Sequence, residues 1–300
     1  MSVHELTDVS PEDVAPVATV TPTEPSTGVD SGPPPLPPGA SRVRRLVSAL
    51  AWSLVGIAIV IGLWQLAASS VPELPKPGDT FGEMGTLLSD PFYDNGPNDK
   101  GVGVLVGESM LRVFKGFGLA AVVGIPFGIA IGASRRAWQA FNPVVQLLRP
   151  VSPLAWYPIW LVVLKDVAQA GIWVIFITAL WPTVVNTAAG VAMVPQDHKD
   201  VARVFRFGRL AYLRHVVIPD SLPSIVTGLR VSMGIAWMVI VAVEMLSGGV
   251  GIGAYVWTEY NALNLAHVIC AILLIGLVGL VLDLLFLRLA RSVAHEEATA

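Results

Sequence analysis

What most constrains this chain is a repeated pattern. Between Leu46 and Leu289 six apolar stretches recur, each close to the ~20 residues that a helix needs to cross a bilayer. They are expected at about Leu46–Ala68, Leu111–Ala133, Asn142–Asp166, Gly171–Met193, Ser221–Met245 and Ala266–Leu289. The 300 residues are 54% hydrophobic and 14% charged, with a mean hydropathy of +0.66, which is far from a soluble average. The expected fold class is all-α: a polytopic membrane protein with six transmembrane helices.

Charge then orients the spans. Arg42, Arg44 and Arg45 precede the first, Arg135 and Arg136 follow the second, and Arg288 and Arg291 end the sixth. Cytoplasmic loops carry such an excess of Lys and Arg. The loop from Ser70 to Val104 instead holds Glu73, Asp79, Glu83, Asp90, Asp94 and Asp99 against Lys76 and Lys100, which assigns it to the outside. Both termini are therefore expected in the cytoplasm, in a multi-pass protein of the plasma (inner) membrane. Residues 1–41 contain no Lys or Arg, are rich in Pro, Thr, Ser and acidic residues, and carry the run PPPLPP at Pro33–Pro38. Such a composition cannot bury a core, so 1–41 reads as a disordered Pro-rich cytoplasmic tail ahead of a membrane domain over 42–300. It lacks the basic start and early apolar core of a signal peptide.

Several residues inside the spans carry information. In the second span Gly116, Ala120, Gly124, Gly128 and Gly132 form a row of small residues at every fourth position, which lets another helix backbone come close. Pro126 should kink that helix. The third span is interrupted by Pro150, Pro153 and Pro158 and carries Trp156 and Trp160; irregular backbone at membrane depth is expected where it is buried in protein or lines a cavity. Trp181, Thr183, Asn186 and Thr187 in the fourth span either make helix contacts or face a pore. In the fifth and sixth, Arg230 and Asp283 either pair with each other or leave Arg230 free to touch an anion in a path. Glu244 sits near the outer interface, where snorkelling is enough to explain it. Cys270 is the single cysteine, so no intrachain disulfide can form.

The most polar interior segment is the loop 197–223. Asp197 is expected to cap a short helix with Asp200 in its first turn, Gly208 to end that helix, and a second helix to follow with Leu210, Leu213, Val216 and Val217 at helical spacing. Arg203, Arg206, Arg209 and Arg214 keep this elbow out of lipid. It resembles the signature loop of the permease subunits of ABC importers: Glu-Ala-Ala, three residues, Gly, nine residues, Ile-x-Leu-Pro. Asp200, Val201 and Ala202 match the opening triplet, Arg206 falls at the glycine, and Val216, Val217, Ile218 and Pro219 fill the close. Arg206 is the largest departure, and Gly208 two residues later is placed to make the turn. LRPVSPLAWYP is similar to the same region of the nitrate, bicarbonate, taurine and sulfonate branch of these permeases, and FITALWPTVVNTAAGV looks most like its nitrate and bicarbonate members.

The resemblance covers nearly all of the chain from Arg45 to Arg291. It implies a coupling helix seated in a cleft of a separate ATPase subunit, with Asp200, Ala202, Arg203, Arg206, Gly208, Ile218 and Pro219 as its coupling residues. It also implies cytoplasmic ATP-binding subunits, an extracytoplasmic substrate-binding protein and a second permease copy, expected to be identical. Candidates for a translocation path are Arg230, Trp156, Trp181, Asn186 and Trp237. The sequence has no G-x-x-x-x-G-K-[ST] phosphate loop, no nucleophile and base set, no zinc-ligand spacing and no dinucleotide fingerprint. A non-enzymatic subunit is therefore expected, with no cofactor, metal or nucleic acid of its own and with ATP bound by the partner. The substrate expected from the resemblance is a small oxyanion, nitrate first, then nitrite or bicarbonate, with taurine or alkanesulfonates as the alternative. A gradient-driven secondary transporter explains six spans equally well but gives no reason for the elbow.

Overall fold

The structure is a computed structural model that describes residues 42–96 and 99–297; the tail expected over 1–41 lies outside the described residues. The chain divides into two compact units, Met1–Ala58 and Ile59–Ala300. The boundary falls within the first helix, α1 (Arg42–Ser70).

The segment expected as an outer loop is largely helical. Pro77 opens α2 (Pro77–Ser89), a position where its missing N–H costs nothing. The Trp64 indole donates to the Pro75 carbonyl at 3.1 Å and meets the Phe81 ring edge-on at 6.2 Å, which ties the end of α1 to α2. Among the described residues of this segment, 71–76, 90–96 and 99–101 are not helical. There the Lys100 ammonium pairs with Asp94 and, with the Gly96 N–H, holds its carboxyl below the usual carboxylate range.

α3 (Val102–Gly132) begins well before the expected second span, and Pro126 lies inside it without ending it. Its row of small residues is the seam against α6 (Val167–Ala192). A Cβ at Gly116 would lie 2.7 Å from the Ile172 carbonyl oxygen, and one at Gly128 would lie 2.6 Å from the Thr187 Cβ. Side chains larger than hydrogen would force these helices apart. α6 is likewise close-packed on its other side against α9 (Ile218–Ser247), where the Thr183 and Ser232 hydroxyls meet at 2.8 Å and Ser232 donates to the Ala179 carbonyl.

The expected third span is not one straight helix. Two helices, α4 (Arg135–Leu148) and α5 (Pro153–Leu164), meet at 92° across residues 149–152. Pro150 has no N–H to continue the α4 ladder, and Pro153 pushes Ser152 into an extended conformation (φ −56, ψ 128). Pro158 does not break the span as expected; it sits inside α5. Lys165 (φ 54) ends α5, and Asp166 caps α6 by accepting from the Gln169 N–H at 2.7 Å.

After α6 the chain forms α7 (Gln196–Val204) and α8 (Arg209–Tyr212), then a π-helical turn over Leu213–Val217 that runs straight into α9. The fifth span therefore starts before the expected Ser221. The widened turn lies where Pro219 removes a donor and would crowd the preceding carbonyls. α10 (Ile252–Asn261) is a short helix the hydropathy pattern did not announce, and α11 (Leu265–Glu297) completes the fold. Among the described residues five helices are long and apolar enough to cross a membrane, and six spans result when the bent α4–α5 pair counts as one.

Candidate functional site

Three places gather the chemistry: the elbow, a cavity beside α6, and a buried polar network at the C-terminal end of α9.

At the elbow Asp197 is not the cap; Pro195 occupies that position and Asp197 lies in the first turn of α7, where its charge still suits the helix dipole. Asp200 receives a hydrogen bond from Arg203 at 2.6 Å. Ala202 is the buried point of α7, packed with Val194, Val216 and Tyr212. The turn is made by Arg206 itself, with φ 51, and not by Gly208, which is extended (φ −65, ψ 161) and opens α8. Arg206 thus keeps the left-handed conformation for which the resembling permeases use glycine, and the Phe207 N–H closes the turn on the Ala202 carbonyl at 2.9 Å. Ile218 and Pro219 open α9, and His198 reaches Asp220 there at 2.7 Å, bracing α7 against the span. Val204, Phe205 and Leu210 project with 78%, 70% and 77% of their surface exposed.

The cavity has a volume of about 600 Å³ and lies between the α4–α5 break, α6 and α9. Trp156, Trp181 and Asn186 line it together. Thr178 adds a hydroxyl that donates to the Val174 carbonyl at 2.7 Å, and the Asn186 amide donates to the Pro182 carbonyl at 2.8 Å. The remaining lining is mostly apolar, including Ile177, Val185, Ile235 and Met238.

Two expected path residues lie elsewhere. Arg230 does not line the cavity: its Nε and Nη2 hold both oxygens of Asp283 at 2.6 and 2.8 Å, a two-point pair between α9 and α11. A guanidinium and a carboxylate facing each other across adjacent helices satisfy one another more readily than either satisfies a passing ion. Trp237 is 4% exposed and donates to the Ile275 carbonyl at 3.0 Å, so its indole serves the α9–α11 contact.

The network at the C-terminal end of α9 was missed. Glu244, expected to snorkel, is 2% exposed. It accepts from Arg112 Nη1 at 2.7 Å, from the Ser109 hydroxyl at 2.7 Å and from the Gly253 N–H at 3.1 Å. Arg112 also donates to the Val250 carbonyl at 2.6 Å, and Ser109 accepts from the Ile252 N–H. The α9–α10 turn is thereby fastened to α3. Gly248 (φ 70) and Gly249 (φ 87) supply the conformations this turn needs. Arg112 and Glu244 lie 132 residues apart in sequence, so no local spacing connects them.

Helices long and apolar enough to cross a membrane, a projecting elbow and a cavity beside α6 together fit the membrane subunit of a transporter. The chain belongs to the family of binding-protein-dependent transport system inner membrane components, which matches residues 124–295. It is 44% identical over 230 residues to the nitrate import permease protein NrtB of Synechocystis sp., covering 76% of this chain and 84% of the relative. It is 43% identical over 251 residues to the bicarbonate transport system permease protein CmpB of Synechococcus elongatus, covering 82% and 90%. Among solved structures it resembles the MetNI methionine ABC transporter in an inward-facing conformation, with a TM-score of 0.57 at 16% identity over 62% of this chain and 93% of that one; this likeness concerns the fold alone. The chain is thus the permease subunit of an ABC importer in the inner membrane, not an enzyme. ATP hydrolysis belongs to a separate ATP-binding subunit, and a substrate-binding protein delivers the cargo.

Proposed function

We propose that this permease imports a small planar oxyanion, nitrate first and bicarbonate second, through the cavity beside α6. The observation that carries the substrate class is the identity above 40% to both a nitrate and a bicarbonate permease over more than three quarters of the chain. The cavity's chemistry suits it, since none of its lining residues is acidic. Two identical copies would form the path, with both termini and the elbow in the cytoplasm and the loop from Ser70 to Val104 outside. The N-terminal tail over 1–41 would lie outside the transport machinery, which occupies 42–300.

The elbow is the coupling element in this reading. Its exposed apolar tip of Val204, Phe205 and Leu210 is shaped for burial against a partner, and Arg203 and Arg206 add charge beside it. Asp200 orients Arg203, Ala202 anchors α7 to the membrane domain, Gly208 sets the start of α8, and Ile218 with Pro219 passes any movement of the elbow to α9. Closure of the ATP-binding subunits would move this lever and alternate the access of the cavity.

Uptake of labelled nitrate, bicarbonate and taurine in cells with and without this chain tests the substrate. Loss of nitrate or bicarbonate uptake on deletion is expected; loss of taurine uptake alone would refute the assignment. For orientation, in a Cys270→Ser background, Asp94→Cys should react with an impermeant maleimide in intact cells and His198→Cys should not.

A further inference from the structure

The break between α4 and α5 places one cation without a carboxylate partner in the lining of the cavity. Arg149 is the last residue before Pro150, at the corner where the two helices meet at 92°, and among the described residues it is the single charged one lining the cavity. It shares that lining with Thr178 and Trp181, which stand about 17 and 21 Å along an α6 of about 38 Å at 1.5 Å per residue. A helix of that length exceeds the ~30 Å hydrocarbon core, so its middle lies at membrane depth.

Two arginines on the long helices are tied: Arg112 is held by Glu244 at 2.7 Å and Arg230 by Asp283 at 2.6 Å. Among the described residues Arg149 has no carboxylate within ion-pair distance. Arg149 is exposed, and an unpaired guanidinium on a membrane subunit is stable where it meets water or a counter-ion, as it does in this cavity. α5 also starts at this cavity, with Ser152, Pro153 and Leu154 in the lining, so the positive end of its dipole adds to the same potential.

We propose that Arg149 is the anion-binding group of this cavity. Its planar fork of donors matches two oxygens of a planar oxyanion through paired hydrogen bonds, and the second N–H of the Asn186 amide is left to reach a third. The uncharged remainder of the cavity keeps the site weak enough to release its cargo. Arg149 therefore takes the role the sequence offered to Arg230. This inference rests on the reading of the cavity as the path of an anion importer.

The test uses the complete importer, with permease, ATP-binding subunits and binding protein, in proteoliposomes and in a Cys270→Ser parent. Arg149→Gln should lower nitrate or bicarbonate uptake about tenfold or more, as expected for loss of a charge-assisted contact, and Arg149→Lys should retain part of it. Arg149→Cys, purified as an assembled complex, is then modified with a trimethylammonium or a sulfonate methanethiosulfonate of similar size. The cationic reagent should raise uptake several-fold and the anionic one should not. Parental uptake by Arg149→Gln, or the same response to both reagents, would overturn the proposal. If the parent itself carries neither nitrate nor bicarbonate, the substrate reading fails. If the parent carries them and the variants do too, only the role of Arg149 fails.

Discussion

The C-terminal end of α9 and the middle of α6 treat charge in opposite ways. At the end of α9 the charges are partnered: Glu244 accepts from Arg112, Ser109 and Gly253, and Arg112 closes on Val250. In the cavity Arg149 faces open space beside Thr178, Trp181 and Asn186. Buried charges that satisfy one another fix geometry, here the α9–α10 turn against α3, whereas a charge left open can change partners. The difference separates residues that hold the permease together from residues that meet the cargo, a distinction that residue type alone does not draw.

The comparison breaks most readily at Glu244. Glu244→Ala would leave Arg112, 17% exposed, with only Glu108 at 3.9 Å and would orphan the Ser109 and Gly253 donors; it should cost about 3 kcal/mol of stability, read as a large fall in thermal midpoint in detergent. Arg149→Gln, by contrast, should leave that midpoint nearly unchanged while uptake falls. A smaller effect is expected at the elbow. Arg206→Gly places glycine in a left-handed conformation and should stabilise the turn by about 1 kcal/mol, while Arg206→Glu should weaken co-purification with the ATP-binding subunit. Smaller still is the Arg230–Asp283 pair, which is partly exposed: the double variant Arg230→Gln with Asp283→Asn should transport near the parental rate. A large uptake defect would return Arg230 to the path. The least effect concerns Asp94. Its carboxyl is held below the usual range by Lys100, so the link across 94–100 is present at neutral pH and is lost only as pH falls through that depressed value, below the ordinary aspartate pKa of about 4. Amide exchange of residues 94–100 should accelerate only at such acid pH.

Much of this was legible in the sequence because its causes are local. Apolar length announced the spans, and the four-residue row from Gly116 to Gly132 announced the α3–α6 seam. The elbow's spacing announced its family. What stayed hidden depends on contacts far apart in the chain. Glu244 looked interfacial because Ser109 and Arg112 stand more than 130 residues away. Gly208 looked like the turn because glycine is the usual left-handed residue, yet the closure of Phe207 on Ala202 imposes that conformation on Arg206. Arg149 went unnoticed beside three prolines, although an arginine at a proline break inside an apolar run is itself a sign of a lined cavity.

The central claim is that cargo passes through the cavity beside α6, and blocking that space tests it most directly. Ile177 lines this cavity and belongs neither to the elbow nor to the network around Glu244. In the Cys270→Ser importer, Ile177→Cys should transport until it is modified, and labelling with a bulky maleimide should then abolish nitrate and bicarbonate uptake in proportion to the fraction labelled. Unchanged uptake by fully labelled protein would contradict the account.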